Sequence, residues 1–464
     1  MIFEVGAQIV VRDATDDLKD WCKTALVIAN PDFYKAERAG RKVWGIPRNL
    51  YLYEIVGDDI ILPFGLVKRL YKHYGDTCEF VNLCTKGAET PYNWDSATVL
   101  REYQSEAVNA AVRARNGVIV MPCGAGKTIT ALNIIARLGR RALWVTHTQD
   151  LLSQSLTRAQ AVYDLPAGGY GTITGGRVNI GTHITFATVQ TLRKIDLNKY
   201  SDYWDVIIVD ECHKAVGTPT RAMQFYEVLS KLKARHKYGV TATLERKDGL
   251  HITTTSLLGD KIIEIDKSVV ADYVVPVHVK TVETAYRVNT ECALNFDGTL
   301  NYAALCRDLT EDEGRFSLVL SEIERVKGVP ALVLANRVEY LQRLNDHYSG
   351  ASVCLSKLGA SKAAKAKRKA ALSDLNEGKI DCVFATYALA KEGLDIPNLR
   401  YVFFATPEKD STTVTQSVGR VARKADGKNC GVVIDFVDVG FNMFKSWRKK
   451  RDSVYKKCDC IIEN

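Results

Sequence analysis

Long apolar runs and a signal-like N-terminus are both missing from this sequence. No stretch approaches the roughly 20 apolar residues that a membrane span requires. The first residues, MIFEVGAQIVVRD, lack the basic and then apolar order of a secretory signal peptide. We therefore expect a cytoplasmic protein that does not bind a membrane.

Paired cysteines are also absent. The 12 cysteines are scattered along the chain, and neither a C-x-x-C pair nor a matched Cys/His set occurs. Cys458 and Cys460 lie close together, but there is no second pair to complete a tetrahedral zinc site. The sequence therefore predicts reduced thiols and no zinc.

A strong excess of one charge is missing as well, because the formal net charge is only +9 over 464 residues. Two basic clusters nevertheless occur, at 361–369 and 445–457. A lysine-rich helix is often only a solvated face, and for the first cluster this interpretation and nucleic-acid binding are equally good. The second cluster interleaves Trp447 and Tyr455 with cations, so we predict phosphate contacts and base stacking there.

The length of the chain predicts about three domains. Residues 1–95 are dense in aromatics and contain no phosphate-binding turn, so we predict a separate small α+β domain. Helix-like and strand-like runs then alternate across 96–285 and again across 286–445, which predicts two tandem α/β lobes with parallel sheets. Residues 446–464 are predicted to form a basic C-terminal tail. The predicted strands are 117–121, 142–146, 183–187, 206–209 and 238–241 in the first lobe and 331–335, 352–356, 381–385, 400–404 and 430–435 in the second.

The sequence MPCGAGKT at 121–128 follows a short apolar run and precedes a helical pattern. A Gly-rich turn that opens a helix directs backbone N–H groups and the positive end of the helix dipole at phosphates. We expect Lys127 to reach the β- and γ-phosphates and the Thr128 hydroxyl to bind Mg²⁺. Met121 stands where the first Gly of the usual pattern occurs.

The run DVIIVDECHKA at 205–215 supplies an acidic counterpart to this turn. Residues 206–209 predict a buried strand that ends at Asp210 and Glu211, where ligands bind in open α/β sheets. Asp210 suits a metal ion, and Glu211 suits the positioning or deprotonation of an attacking water. An acidic pair alone would more often cap a surface turn, but together with 121–128 it indicates hydrolysis of a nucleoside triphosphate.

The second lobe contains QSVGRVAR at 416–423 but no phosphate-binding turn. A helix would present Gln416, Arg420 and Arg423 on one face, because they are four and three residues apart. Arginines so placed can stabilise charge on a triphosphate held by the other lobe, a contribution of about 10³ to 10⁵ in rate for arginine fingers. Without the motifs of the first lobe, we would expect these arginines to be exposed and to have no role in catalysis.

Taken in order, these motifs resemble those of superfamily 2 helicases and translocases, over roughly residues 98–438. The resemblance implies two RecA-like lobes, ATP and Mg²⁺ as cofactors, and nucleic acid as the partner. DECH takes the place of the family's DEAD or DEAH box. The other matching segments are 100–104 for adenine recognition, 143–152 and 185–190 for strand contacts, 241–243 for coupling the nucleotide to the strand, and 386 with 392–395 for both ligands.

Within the superfamily the sequence is most similar to the XPB/UvsW group. Residues 100–108 resemble its entry motif, and 246–248 resemble its Arg-Glu-Asp element, with Lys247 in place of the acid. The aromatic N-terminal region, including 44–48 and 59–65, resembles the small DNA-recognition domain of this group. The resemblance implies a bacterial or phage branch-migration helicase, expected to be a monomer, that acts on branched or partly single-stranded DNA.

The motifs and the resemblance together predict four sets of site residues. The catalytic set is Lys127, Glu211, Arg420 and Arg423. The nucleotide-binding set is Arg101, Gln104, Pro122, Cys123, Gly124, Ala125, Gly126, Lys127, Thr128, Asp210, Gly393, Asp395 and Gln416. The Mg²⁺ set, acting through ATP, is Thr128 and Asp210. The nucleic-acid set is Thr146, Thr188, Gln190, Arg246 and Thr386.

Three interpretations of the sequence compete. The first is an ATP-driven helicase that acts on branched DNA, favoured by the N-terminal region. The second is a double-strand translocase or an RNA helicase, which the lobe motifs alone do not exclude. The third is a nucleotide-gated binding clamp that does not move, against which the completeness of both half-sites argues.

Overall fold

The structure is a computed structural model that describes residues 1–463 except 86, 96, 123, 220–222, 246–248, 271–272, 289–300, 360–361, 392–393 and 395. Four predicted site residues, Cys123, Arg246, Gly393 and Asp395, lie outside the described residues. The chain divides into two compact units, Met1–Val269 and Val270–Asn464, called unit 1 and unit 2 below.

The N-terminal part of unit 1 is a small α+β domain with its own sheet. Its elements are β1 (Ile2–Val5), β2 (Gln8–Arg12), α1 (Asp16–Ala25), β3 (Val27–Ala29), α2 (Pro31–Arg38), β4 (Asn49–Tyr51), β5 (Glu54–Val56), β6 (Asp59–Pro63), α3 (Val67–Tyr74) and β7 (Glu79–Asn82). Ile9 and Val11 alternate with less buried residues along β2, because one face of the sheet covers a core. The strand order is β5-β6-β2-β1-β7, and β3 pairs with β4 separately.

The larger part of unit 1 is an α/β lobe. Its elements are β8 (Asn93–Trp94), α4 (Glu102–Ala114), β9 (Asn116–Val120), α5 (Lys127–Leu138), β10 (Ala142–Thr146), α6 (Gln149–Val162), β11 (Tyr163–Asp164), β12 (Tyr170–Thr174), β13 (Arg177–Asn179), β14 (Ile184–Thr188), α7 (Val189–Leu192), β15 (Val206–Asp210), α8 (Gln224–Leu229), β16 (His236–Thr241), α9 (His251–Leu258) and β17 (Lys261–Glu264), with α10 (Lys267–Val270) at the unit boundary.

The main sheet of this lobe has the order β13-β12-β14-β10-β15-β16-β9-β17 and is parallel except at β12–β13. Every residue of β9, β10, β14 and β15 is buried, as expected for central strands covered by helices on both faces. Because β15, β16 and β9 are neighbours, the segments that follow these three strands meet at one edge of the sheet.

The N-terminal domain packs directly on this lobe. The buried Lys237 of β16 donates from Nζ to the Ala7 carbonyl at 3.0 Å, and its ammonium lies 4.2 Å from the centroid of the Phe64 ring. Gly65 is required beside α9, because a Cβ there would collide with the backbone of residues 255–259. Further contacts are the hydrogen bond from Gln8 to Tyr226 and the ion pair of Arg69 with Asp260.

Unit 2 is a second α/β lobe. Its elements are β18 (Val277–Thr284), α11 (Tyr302–Glu311), α12 (Glu313–Glu324), β19 (Ala331–Ala335), α13 (Val338–His347), β20 (Ser352–Cys354), α14 (Lys362–Asn376), β21 (Cys382–Thr386), α15 (Tyr387–Lys391), β22 (Tyr401–Phe404), α16 (Ser411–Val421), β23 (Gly431–Asp438), α17 (Asn442–Lys457) and β24 (Ile461–Glu463). The sheet is parallel and has the order β20-β21-β19-β22-β23-β18-β24. Two parallel-sheet lobes after a small α+β domain confirm the predicted fold class.

Two predicted boundaries differ from the structure. β18 lies within the range 96–285 assigned to the first lobe, yet it pairs with β23 of unit 2 along Val277–Thr284. The region 446–464 is not a free tail, because α17 packs on the unit 2 core and β24 extends the sheet. Trp447 and Tyr455 are buried and so do not present rings for base stacking, which corrects that prediction.

None of the helices in the described parts of the chain is long and apolar enough to span a membrane.

Candidate active site

The turn between β9 and α5 is built around two glycines. Gly124 and Gly126 have φ values of +82° and +79°, a region that glycine adopts without steric cost. A Cβ on Gly126 would also collide with the side-chain amide of Gln104. Lys127 and Thr128 are the first residues of α5, where unsatisfied backbone N–H groups favour an anion. The local geometry is that of a phosphate-binding turn.

Helix α4 holds this turn in place. Gln104 Nε2 donates to the Ala125 carbonyl at 2.9 Å, and the Tyr103 hydroxyl donates to the same carbonyl at 3.1 Å. Gln104 Oε1 accepts the Arg101 backbone N–H at 3.0 Å. One N–H and one lone pair of the Gln104 amide lie beyond these bonds, so adenine recognition stays a prediction. Sequence reasoning missed Tyr103, although it lies within the same motif.

Asp210 and Glu211 lie at the C-terminal end of β15. Burial and the neighbouring charge of Glu211 raise the pKa of Asp210 to about 7, against the opposing charge of Lys127. Burial acts to raise the pKa of Glu211 too, but the hydrogen bond from His213 and the charge of Lys127 outweigh it and hold that pKa at about 2. Glu211 is therefore ionised, the state in which a carboxylate can orient or deprotonate water.

His213 connects Glu211 to the next strand. Its Nδ1 is 3.3 Å from Glu211 Oε2 and 3.0 Å from the Thr241 hydroxyl. Thr241 Oγ1 donates to the Thr243 carbonyl at 2.9 Å, so the Nδ1 hydrogen is assigned as shared between Thr241 Oγ1 and Glu211 Oε2. The His213 ring thus joins the acidic end of β15 to the segment that follows β16. Sequence reasoning did not assign this role, although His213 belongs to the DECH run.

Glu211 also has a backbone conformation that is unusual for a residue with a side chain. Its φ of +48° lies in the left-handed region, which costs an L-residue free energy and persists only where the surroundings enforce it. The Glu211 N–H donates to Asp210 Oδ1 at 2.9 Å, so the two acidic residues also constrain each other. The strained turn directs two adjacent carboxylates differently: Asp210 bonds Ser155 and Glu211 faces His213.

The oxygen donors at this end of the lobe fit Mg²⁺. Asp210 offers a carboxylate and Thr128 a hydroxyl, which are hard ligands of the kind that Mg²⁺ takes together with substrate phosphates. Because burial disfavours the ionised form of Asp210, a divalent cation would offset that cost. Among the described residues no group of three or more His, Cys, Asp or Glu could hold a metal. Mg²⁺ generally takes its remaining ligands from substrate phosphates and water.

Three predicted nucleic-acid residues of unit 1 have partners inside the protein. Thr146 is fully buried, and its hydroxyl donates to the Thr148 carbonyl at 2.9 Å, so in this conformation it supports the backbone instead of contacting a strand. Thr188 is also buried, and its hydroxyl is 2.9 Å from that of Thr191. Gln190 is exposed and donates to the His147 carbonyl at 2.8 Å. Gln190 is the one of these three that solvent reaches freely.

The predicted residues of unit 2 lie around α16 and after β21. Gln416 and Arg420 are one turn apart on α16, and Arg420 is buried. The Oε1 atom of Gln416 is buried with no hydrogen-bond partner among the described residues. Arg423 follows α16, and Val274 pairs with it in an isolated antiparallel bridge. Thr386 ends β21, where its N–H donates to Ser356 Oγ at 2.8 Å.

Comparison with known proteins gives two family matches. Residues 97–246 match the family described as type III restriction enzyme, res subunit. Residues 314–425 match the helicase conserved C-terminal domain. The first match contains the 121–128 turn and the DECH run, and the second contains α16.

Two curated relatives and one solved structure extend these matches. A putative ATP-dependent RNA helicase of Acanthamoeba polyphaga mimivirus is 28% identical over 74% of this chain, and the match spans 64% of that relative's length. The DNA 3'-5' translocase XPB2 of Sulfurisphaera tokodaii is 24% identical over 76% of this chain and 84% of its own. S. cerevisiae Dbp5 bound to RNA and ADP BeF3 has the same fold, with a TM-score of 0.55 at 14% identity over 78% of this chain and 89% of its own.

Proposed function

Because the chain belongs to the superfamily 2 helicases, of the XPB/UvsW-like type, we propose that it couples ATP hydrolysis to the remodelling of branched DNA. Its substrates in this proposal are forks, four-way junctions and D-loops that arise in recombination, replication or repair. Membership of the helicase family implies the use of ATP, usually with Mg²⁺. The choice of DNA and the branched form of the substrate are the proposed elements.

One observation carries the branched-DNA element: the side chain of Trp44 is 96% exposed. It lies in a turn that follows α2, and Lys35, Arg38, Arg41 and Lys42, which precede it in the sequence, are exposed too. An exposed ring can stack on an unpaired base while neighbouring cations contact phosphates. Forks with single-stranded arms and junctions whose centre opens present unpaired bases, whereas linear duplex does not. Since the domain packs on the ATP-binding lobe, the two would move together along DNA.

The proposed chemistry assigns a role to residues of each unit. Lys127 would bind the terminal phosphates, and ionised Glu211 would orient the attacking water. Mg²⁺, when bound at Thr128 and Asp210, would neutralise charge on the phosphates. We assign to Arg420 and Arg423 the stabilisation of charge that develops on the triphosphate during hydrolysis. The His213 ring would transmit a change at Glu211 to Thr241 and so to a segment that resembles the coupling motif of the family.

The decisive experiment compares ATPase and strand displacement on single strands, forks, four-way junctions, linear DNA duplexes and RNA duplexes at one salt concentration. We expect the highest activity on forks and four-way junctions. Lys127→Ala and Glu211→Gln serve as inactive references. Arg423→Ala should lower kcat far more than it weakens ATP binding, because its charge is used in the transition state. Equal activity on linear and branched DNA would reject the branched-DNA element.

Two alternatives have observations of their own. The mimivirus relative is described as an RNA helicase, and the Dbp5 structure contains RNA, which would favour an RNA duplex as substrate. The Sulfurisphaera relative is described as a translocase, which would favour movement along duplex DNA without unwinding. Stronger stimulation of ATPase by RNA than by DNA would support the RNA helicase. ATPase stimulated by duplex DNA without strand displacement would support the double-strand translocase. A nucleotide-gated clamp would bind DNA in an ATP-dependent way and show neither displacement nor translocation.

A further inference from the structure

Helix α17 is fixed to the unit 2 sheet by a buried ionic network centred on Asp435 of β23. Asp435 Oδ2 accepts hydrogen bonds from Arg451 Nε at 2.8 Å, the Tyr455 hydroxyl at 2.8 Å and Arg448 NH1 at 3.2 Å. Asp435 is fully buried and Arg451 is 2% exposed. Burial disfavours the charge of Arg451, yet the Asp435 carboxylate raises the pKa of Arg451, so its guanidinium stays protonated. The network anchors the helix to the middle of β23.

The same guanidinium also reaches the loop that precedes α16. Arg451 NH1 donates to the Glu408 carbonyl at 2.8 Å. The Glu408 side chain then orders the next residues, because its Oε1 accepts the N–H of Lys409 at 2.7 Å and of Asp410 at 2.8 Å. Asp410 Oδ2 accepts the Thr413 hydroxyl at 2.7 Å in the first turn of α16. A continuous series of bonds therefore runs from β23 through Arg451 to the start of α16.

A second contact holds the same loop on α17. The Lys409 ammonium lies 5.2 Å from the centroid of the Trp447 ring, a distance at which a cation and an aromatic face attract. Trp447 packs in turn in a core cluster with Phe444, Leu305 and Leu309. Arg451 and Trp447 are one helical turn apart on α17, so one face of this helix supports the loop at two points.

We propose that Arg451 is a positioning residue for ATP hydrolysis, which sets the start of α16 and thereby the location of Gln416 and Arg420. The proposal rests on the proposed function, in which those two residues act on the nucleotide. The planar guanidinium can hold the Asp435 carboxylate and the Glu408 carbonyl together, because its donors form a fixed fork. In this proposal the basic cluster at 445–457, for which the sequence predicts a nucleic-acid contact, contains a residue that supports α16.

The test is Arg451→Lys in the full-length protein. A lysine keeps the positive charge beside Asp435, but one ammonium on a flexible stem does not reproduce the fork. We expect kcat of the DNA-stimulated ATPase to fall about 10- to 100-fold, as for a small misplacement of a catalytic group. The affinity for DNA and the Kd for ATP should change little. Glu408→Ala, which removes the acceptor for the N–H groups of Lys409 and Asp410, should lower kcat in the same way.

Arg315→Lys provides the matched control. Arg315 is equally buried in unit 2 and forms a comparable ion pair with Asp438, with Nε at 2.7 Å from Oδ1, but it has no hydrogen bond to the 406–410 loop among the residues that the structure describes. Both lysine variants should lower the unfolding temperature, and kcat is compared well below either transition. A fall in kcat in Arg451→Lys that is no larger than in Arg315→Lys would overturn the proposal.

A double-variant cycle separates this proposal from the proposed function. If Arg451 acts through α16, Arg451→Lys should add little to the loss of kcat already caused by Arg420→Ala. Additive losses would overturn the positioning role. If Arg420→Ala alone leaves kcat unchanged, then the assigned role of Arg420 fails. In that case Arg451→Lys could still lower kcat more than Arg315→Lys does. The residue that Arg451 positions would then lie elsewhere in the 406–416 segment, and the proposal that Arg451 acts through Arg420 would be overturned.

Discussion

Trp44 and Trp447 lie in stretches of similar composition, each surrounded by lysines and arginines, yet they do opposite things in the fold. Trp44 is 96% exposed in a turn after α2, whereas Trp447 is 6% exposed on α17. The arginines differ in the same way. Arg38 and Arg41, which precede Trp44 in the sequence, are exposed, while Arg451 is buried against Asp435. Composition alone therefore does not distinguish an exposed turn from a packed helix.

The physical difference is the backbone on which each stretch is built. Trp447, Arg451 and Tyr455 follow one another at intervals of four residues, so α17 presents them on one face, and that face covers the sheet. Its lysines lie at other positions and are exposed. Trp44 is followed by Gly45, whose φ of +81° makes a turn and not a helix. Unlike α17, this turn does not place the tryptophan against a sheet, and the Trp44 ring remains in solvent.

The largest effect that separates the two stretches should be on stability. Trp447→Ala removes a buried indole from a cluster with Phe444 and Leu305, so the free energy of unfolding of unit 2 should fall by about 3 to 5 kcal/mol. Trp44→Ala should change the free energy of unfolding of unit 1 by no more than about 0.5 kcal/mol. Equilibrium unfolding in urea measures both. Equal losses in the two variants would contradict the assignment of surface and core.

The extent to which the sequence predicts this fold depends on the range of the interactions involved. The strands Ala142–Thr146 and Ala331–Ala335 coincide with their predictions, because a short apolar run between turns is a local signal. The strand Val277–Thr284 was assigned to the wrong lobe, since only its pairing with Gly431–Asp438 decides which sheet it joins. A strand partner so distant along the chain leaves no local signal.

The candidate site shows the same division. The 121–128 turn and the DECH run are each a continuous segment of the sequence, and each can be recognised without knowledge of the fold. In the structure the two segments lie at the same edge of the sheet. The contact of His213 with Thr241 depends on β15 and β16 being neighbours in the sheet, which the sequence does not show. The helical spacing of Trp447, Arg451 and Tyr455 is visible in the sequence, whereas the basic composition of the same stretch does not indicate that these residues are buried.

The second effect concerns how each region is anchored to its lobe. Lys237 holds the N-terminal domain through the carbonyl of Ala7, and it also donates to the Leu229 carbonyl of its own lobe. Arg451 has a carboxylate partner, whereas no ion pair of Lys237 occurs within the described residues. Burial lowers the pKa of Lys237 to about 7 from an ordinary value of 10.5. The unfolded chain therefore binds more protons between these two values.

The free energy of unfolding of unit 1 should consequently rise with pH from about 7 to about 10.5, by at most about 1.4 kcal/mol per pH unit for this one group. Below about pH 7 both states carry the proton, and the contribution of Lys237 becomes constant. Lys237→Met should flatten the profile over that range, as measured by urea unfolding at several pH values. If Lys237→Met shows the same slope of unfolding free energy against pH as the parent protein, the pH dependence comes from other groups. Arg451→Met in unit 2 should leave this slope unchanged.

The third effect should appear in DNA binding. Trp44→Ala should weaken binding to a fork with unpaired bases by about 1 to 3 kcal/mol for each base that no longer stacks on the ring. Binding to linear duplex should change much less, because its bases are already stacked. Trp44→Phe keeps an aromatic ring and should retain most of the preference. Fluorescence anisotropy at one salt concentration compares the three proteins. Equal weakening on fork and duplex would remove Trp44 from branched-DNA recognition.

The smallest effect should come from the exposed lysines of α17. Lys449 and Lys456 lie on the solvent face of that helix, opposite Arg451 and Tyr455, so replacing both by Gln should change stability by no more than about 0.5 kcal/mol. If this face binds backbone phosphates, DNA binding should weaken to a similar extent on linear and branched substrates, because both present the same backbone phosphates. The slope of log K against log salt should then fall by about 1 for each lysine that no longer neutralises a phosphate. The Trp44→Ala variant should show the opposite pattern, in which the preference for forks disappears and the salt slope is unchanged. A double lysine variant that loses fork preference at constant salt slope would transfer structure recognition from the N-terminal domain to α17.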